Sequence, residues 1–303
     1  MLLVLLGMVT ILFVVIYLLV PGDAAQVMLG SRATPQALAN LRHDLGLDRP
    51  LWVQYGRYLW RLAHLDLGTS YSLRQGVASA IMEYLPATAY LAGAALLIEA
   101  VFGIGWGMIM SLKRSRRLEA LSAVSGAFLL AIPVFFLALL LQYIFASRLG
   151  VLPISGLGGW NPLNLILPAT ALAAAQAVII AAVTRTSLRE EMAKPYILAA
   201  RARGLTRSQA MWRHAARNAL GPVATLLAID LGSLLGGAMI TEIIFSWPGV
   251  GRMTYFAIRE RDVPLVIGAV LVLVTIFVVV NSIVDILYGI MDPRQKAGGR
   301  AVG

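Results

Sequence analysis

The sequence predicts an all-α polytopic membrane protein with about six transmembrane helices. Three observations predict it. Of 303 residues, 59% are hydrophobic; only 13% are charged; and the apolar residues gather into long runs. A soluble domain is closer to a quarter charged, and a helix needs roughly 20 apolar residues to cross the hydrocarbon core. The runs Met1–Val20, Leu85–Leu112, Leu118–Ala146, Leu165–Thr184, Leu220–Phe245 and Pro264–Ile290 approach or exceed that length. A membrane β-barrel would show short alternating segments instead.

The first run, residues 1–20, reads as a retained span rather than a cleaved signal. It has no basic residue at its start, and Pro21-Gly22-Asp23 is a poor small-residue cleavage site. Met1 falls directly in apolar sequence, which leaves room for a start further upstream. Residues 21–84 form the long outer segment, where six arginines nearly balance five acids. Thr34-Pro35 predicts an N-cap with proline at the first helical position, and that helix stops near Gly46. Pro50 opens another helix, with Trp52, Tyr55, Leu59 and Leu62 near one face. It reads as a helix lying at the membrane surface with that face buried; a docking surface for an external partner is the alternative.

Residues 85–290 are read as a five-helix core, and residues 291–303 as a tail. Pro133 falls mid-span and is expected to kink its helix. Residues 147–164 are rich in Gly and Pro and predict an irregular loop. Gly232, Ser233, Gly236, Gly237 and Ala238 bring small residues into one span, which lets helices approach closely or slide. In residues 246–263 a Pro-Gly pair beside Trp247 predicts a tight turn, and Arg259-Glu260-Arg261-Asp262 reads as a solvated charge run.

The net charge of +10 suggests nucleic acid, but its placement assigns it to topology. Lys113, Arg114, Arg116 and Arg117 fill one polar gap. Arg185, Arg189, Lys194, Arg201, Arg203, Arg207, Arg213 and Arg217 fill another, and Arg294, Lys296 and Arg300 follow the last span. These alternate segments share one side, which the positive-inside rule makes cytoplasmic. Even parity then puts both termini there.

Several chemistries have no support. The chain has no cysteine, and its three lysines do not follow a glycine, so no phosphate-binding loop is present. His43, His64 and His214 are scattered without metal-ligand spacing, and no Gly-x-Ser-x-Gly elbow occurs. Neither a metal site nor a cofactor is expected in the chain. The acids inside the spans are functional candidates, because an intramembrane carboxylate is costly. Glu99 and Asp230 are central in their runs, and Asp230 shares its span with Gly236; these three are the candidate lining of a translocation path. Glu242 and Asp285 lie near span ends, where they can reach the interface.

One stretch carries the strongest signal: Leu198-Ala199-Ala200-x-x-x-Gly204, inside a basic loop over residues 186–218. It resembles the Glu-Ala-Ala loop of ABC importer permeases, with Leu198 in place of the usual Glu and Pro195 where an acid usually precedes the tyrosine. Arg213-His214-Ala215-Ala216-Arg217-Asn218 through Gly221-Pro222 is similar to the form in the dipeptide/oligopeptide/nickel permease family. Leu45-Gly46-Leu47-Asp48-Arg49-Pro50, Asp66-Leu67-Gly68-Thr69-Ser70, Leu85-Pro86-Ala87-Thr88, Leu231 to Ala238, Trp247-Pro248-Gly249-Val250-Gly251, Asp285-Ile286-Leu287-Tyr288 and Asp292-Pro293-Arg294 match in order. The long outer segment resembles the first of that family's two permeases.

The resemblance implies a type I ABC importer permease fold and import driven by a separate ATPase. It implies a second homologous permease, two cytoplasmic ATPase subunits that carry ATP and magnesium, an external solute-binding protein, and a place in a prokaryotic inner membrane. In the loop it implies a docking role for Tyr196, Ala199, Ala200, Arg201, Arg203, Gly204, Arg207 and Trp212. Trp247, Pro248, Gly249 and Arg252 become expected contacts to the binding protein. Di- or oligopeptides are the expected cargo, with nickel, glutathione or another small solute as the alternative. A proton-driven transporter using Glu99 and Asp230 is the second alternative, against which the lack of an inverted repeat counts.

Overall fold

A computed structural model describes residues 2–14, 24–29, 33–113 and 115–291, and among them every regular element is helical. The Pro21-Gly22-Asp23 motif, Arg114, Asp292-Pro293-Arg294 and the rest of the tail lie outside the described residues. The chain divides into two compact units. One holds Met1–Thr88 with Pro248–Val278; the other holds Ala89–Trp247 with Val279–Gly303.

In the first unit the local signals work as read. The chain opens with α1 (Leu2–Val14) and a short α2 (Ala24–Leu29). Thr34 caps α3 (Pro35–Leu45), its hydroxyl accepting from the Ala37 amide at 3.3 Å, and Gly46 ends it at φ 68°. That left-handed geometry suits a residue without Cβ. Pro50 precedes α4 (Leu51–Ala63). The buried face of α4 carries Leu59 and Leu62, with Tyr58, against Val9 of α1 and against Ile267 and Leu271 of α16 (Val263–Met291). Tyr55 adds a ring contact with Phe13 at 5.1 Å. Trp52 departs from the expected face: it is 77% exposed, because 3.6-residue periodicity fixes an arc and not which edge of it meets a neighbour.

Asp262 is a larger departure. It lies between α15 (Val250–Arg259) and α16. The run Arg259-Glu260-Arg261 is exposed, as expected of solvated charge, but Asp262 is fully buried. Its carboxylate accepts from Ser70 Oγ at 2.5 Å, Ser72 N at 2.9 Å, Ser72 Oγ at 2.8 Å and Leu265 N at 3.2 Å. It therefore caps α16 and anchors the 70–72 turn at once, and a carboxylate accepting several N–H and O–H bonds tolerates burial. Close by in sequence, Gly268 lets α16 approach α5 (Val77–Ile98): a Cβ there would lie 2.3 Å from Val77 Cγ1.

The second unit is built around α9 (Pro162–Met192). The chain that begins as α5 runs on through a π-helical segment, Glu99–Ile104, into α6 (Gly105–Leu112). Gly103 and Gly107 face α9 one turn apart. A Cβ on Gly103 would sit 2.6 Å from Ile180 Cγ2, and one on Gly107 2.5 Å from Thr184 Cβ and 2.7 Å from the Ala181 carbonyl oxygen. Between them Gly105 meets nothing within 4 Å. Lipid supplies no hydrophobic drive between helices, so this small-residue seam gains its energy from close packing.

Among the described residues three helices are long and apolar enough to cross a membrane: Val77–Leu112, Pro162–Met192 and Val263–Ile283. Counting each bent pair as one span gives five. The first expected run is described as helix only over Leu2–Val14. The second starts eight residues before Leu85, since Pro86 is accommodated inside α5.

The Pro133 kink is larger than expected. The helices α7 (Arg116–Ala131) and α8 (Val134–Leu141) are separate, and the segments they open meet at 103°. Proline removes an amide and forces the residue before it out of helical geometry; Ile132 sits at ψ 123°. The Leu220–Phe245 run is also broken. It divides into α13 (Gly221–Gly237) and α14 (Met239–Ile244), and a 50° bend precedes α13. Glu242, expected near an interface, is fully buried.

The seam predicts a contrast between neighbouring glycines. Gly107→Ala pushes a methyl group into the α9 backbone and is expected to cost about 1–3 kcal/mol. Gly105→Ala adds helix propensity in open space and is expected to be neutral or slightly stabilising. Thermal unfolding of the detergent-solubilised protein measures both.

Candidate functional site

The basic loop forms a compact set of short helices on the end of α9: α10 (Pro195–Ala202), α11 (Arg207–Ala210), a π-helical turn Met211–Ala215 and α12 (Ala216–Ala219). Pro195 starts α10 at its first position, where its missing amide costs nothing. Gly204 makes the bend at φ 94°, with open space where a Cβ would be. Conformation, not crowding, therefore calls for glycine there. A reciprocal capping box between Thr206 and Gln209 restarts the helix. Ile197, Ala210 and Ala215 are buried together beneath Met192 and Leu205, and Met211 and Ala216 pack on Met108 and Leu188.

The outward face of this loop is mixed. Ala199, Ala202, Arg203 and Gly204 are exposed, Ala200 is half-buried, Leu198 is 53% exposed and Trp212 60%. A narrow alanine ridge flanked by an exposed leucine and tryptophan is a surface that can enter an apolar groove. Two other expected docking residues, Arg207 and the 41% exposed Tyr196, hydrogen-bond within the chain. Arg207 donates to the Ser111 carbonyl at 2.9 Å. Tyr196 donates to Glu191, which is also paired with Lys194; Asn218 donates to Glu191 Oε1 at 3.2 Å and to Tyr196 Oη at 3.1 Å. Partial burial and the Glu191 carboxylate push the Tyr196 hydroxyl above its ordinary pKa, so it stays a donor. This clasp joins the start of the loop to its end. Its hub, Glu191, went unread in the sequence; an acid in a basic loop was the available signal.

Within the spans, Glu99 and Asp230 come close enough to interact electrostatically. Glu99 opens the π-helical segment, is 0% exposed, and neither of its oxygens has a hydrogen-bond partner among the described residues. On α13, Asp230 is half-buried; its Oδ1 accepts from Ser233 Oγ at 2.7 Å and its Oδ2 is buried without a partner among the described residues. π-Helical insertions are frequent at functional sites. Gly236 lies further along α13, just before the break at Ala238.

The residues expected to meet an external binding protein divide. Trp247 is 0% exposed and stacks on Tyr90 at 6.3 Å. It has no surface to offer and supports the turn instead. Pro248 and Arg252 are half-buried, and with Gly249 they line a 290 Å³ cavity with Ser72, Tyr84 and Phe256. Arg252 lies over the Phe256 ring at 5.4 Å. Among the described residues no cluster of three or more metal-ligating side chains occurs.

Broken spans with a helical loop on the end of a core helix define a membrane permease fold. A chain of the methionine ABC transporter MetNI, solved in inward-facing conformations, has the same fold: TM-score 0.56 at 18% identity, covering 71% of this chain and 97% of that one. Residues 103–297 match the family of binding-protein-dependent transport system inner membrane components, and residues 1–92 match its N-terminal model. The chain is 39% identical to the dipeptide transport system permease protein of Alkalihalophilus pseudofirmus, over 97% of this chain and 96% of that one. It is 38% identical to the di/tripeptide transport system permease protein of Pseudomonas aeruginosa, over 95% and 94% respectively. The chain belongs to the binding-protein-dependent transport system inner membrane component family.

The clasp predicts a local effect. Tyr196→Phe removes one hydrogen bond to a carboxylate, worth about 1.5 kcal/mol. Limited proteolysis within residues 195–218 is expected to speed up roughly tenfold while membrane insertion is unchanged.

Proposed function

We propose that this chain is a transmembrane permease subunit of an ATP-driven importer for di- or oligopeptides, that it forms half of the translocation path, and that it passes force from a separate ATPase to its spans through the 195–218 loop. The observation that carries the docking role is the exposed ridge of Leu198, Ala199, Ala202 and Trp212 on a loop packed directly on α6 and α9. Movement imposed on that ridge reaches the core through Met211 and Leu188. The relatives named for dipeptide and di/tripeptide transport support the peptide cargo.

In this reading a second, homologous permease completes the path and an external binding protein delivers cargo. Two ATPase subunits hold ATP and magnesium on the cytoplasmic side, and both termini face that side of the inner membrane. The chain itself is non-catalytic. Asp230 and Gly236 line the path, with the buried Glu99 beside Asp230. Two acids there suit a cargo with a cationic amino terminus, and Arg252 with Pro248 and Gly249 receives the binding protein.

Two variants test this. Gly204→Val places a β-branched residue at positive φ, a strain of about 1–3 kcal/mol. It is expected to leave the protein in the membrane but cut uptake per ATP hydrolysed; normal coupling in proteoliposomes counts against the docking role. Asp230→Asn is expected to lower dipeptide uptake about tenfold, the scale of one charged hydrogen bond, with membrane level unchanged. Unaltered uptake and substrate range would remove Asp230 from the path.

A further inference from the structure

The second unit carries a two-part cavity, an apolar trough and an arginine-lined end beside the basic loop. The first part is an apolar trough of 860 Å³ between α6, α7 and α9, walled by Phe102, Trp106, Ile109, Leu129, Leu130 and Val178. It follows α9 from Thr170 to Arg185, about 22 Å at the helical rise. One leaflet's share of the hydrocarbon core is about 15 Å, so the trough is long enough for an acyl chain. Its end is polar: Arg185 donates to Glu119 Oε1 at 2.5 Å, and Arg189, one turn on, donates to the same oxygen at 2.6 Å.

Beyond that bridge lies a second cavity, 580 Å³, lined by Arg116, Glu119, Arg189, Arg201 and Arg207. Four guanidinium groups and one carboxylate line it. Arg189 and Arg207 have partners, Glu119 and the Met110 and Ser111 carbonyls. Arg116 and Arg201 are exposed, and among the described residues neither side chain makes a hydrogen bond or ion pair. They stand on different elements, α7 and α10, yet line the same cavity. The charge distribution along the chain places this end toward the cytoplasm.

We infer that the trough and the arginine cavity together hold one anionic phospholipid, its acyl chain along α9 and its phosphate between Arg116 and Arg201. Guanidinium forks match phosphate oxygens in pairs. The cavity's excess positive charge selects a headgroup with net negative charge over a zwitterionic one. The apolar trough ending at the arginines favours a lipid over a free phosphate. A phosphate bridging Arg116 and Arg201 also ties α10 to α7, so the lipid steadies the loop that carries the alanine ridge.

Trp106 lies in the trough, its indole donating to Ser122 Oγ at 3.0 Å, and gives a direct readout. The full chain is reconstituted in phosphatidylcholine vesicles containing either phosphatidylglycerol or phosphatidylcholine with brominated acyl chains. The quenching that Trp106→Phe abolishes is taken as the signal. Quenching is expected to be stronger with brominated phosphatidylglycerol. That preference is expected to fall about fivefold for each of Arg116→Gln and Arg201→Gln, the scale of one basic residue at an anionic surface. Arg116→Lys with Arg201→Lys, which keeps the charge, is expected to retain part of it. Equal quenching by both lipids would overturn the inference. So would relief of quenching by inorganic phosphate, which would mark a free-anion site, or no Trp106-dependent quenching by either lipid, which would mark a trough covered by a second copy of this chain.

Discussion

The second unit depends on the close approach of α6 to α9. Two helices in a bilayer gain nothing from hiding apolar surface, since lipid is as apolar as leucine. They associate only where side chains allow backbone-level contact, and Gly103 and Gly107 allow it against Ile180, Ala181 and Thr184. The seam begins inside the π-helical segment, which Glu99 opens and which contains Gly103. It also sets the other flank of α6, where Phe102, Trp106 and Ile109 become a wall of the trough. At its far end the same contact continues into Met108, Leu188 and Met211, which seat the basic loop.

Continuity between loop and core gives the functional reading its physical content. The loop is not tethered by a flexible linker. Buried apolar contacts hold it to α6 and α9, and the Glu191–Tyr196–Asn218 clasp closes it at its base. A force applied to the exposed ridge therefore moves packed side chains rather than being absorbed in slack backbone. Gly204 is the bend of this piece, and its positive φ separates α10 from the rest of the loop without a gap in packing.

Polar groups follow one rule in both units. Asp262 is buried and accepts four hydrogen bonds, so it is a structural anchor. Glu99 is buried, accepts none among the described residues, and interacts electrostatically with a second acid. Both carboxylates are removed from water, but only one is compensated. The difference sets Glu99 apart, rather than Asp262 or the arginine-bound Glu119, as an acid without compensating hydrogen bonds among the described residues.

By itself the sequence determined what depends on neighbours along the chain. Apolar run length gave the membrane class, Thr34-Pro35 and Gly46 bounded a helix, Pro133 broke one, and Ala199, Ala200 and Gly204 marked the loop and its family. Tertiary structure alone decided which side chains meet across helices. Sequence shows Gly103, Gly105 and Gly107 alike, yet only two face α9. It shows Trp247 beside a turn, yet the ring is buried on Tyr90. Nor does it distinguish Arg207, which donates to the Ser111 carbonyl, from Trp212, turned out. Periodicity gives each residue an angle on its own helix, but the partner on the other side comes from contacts between residues far apart in the chain.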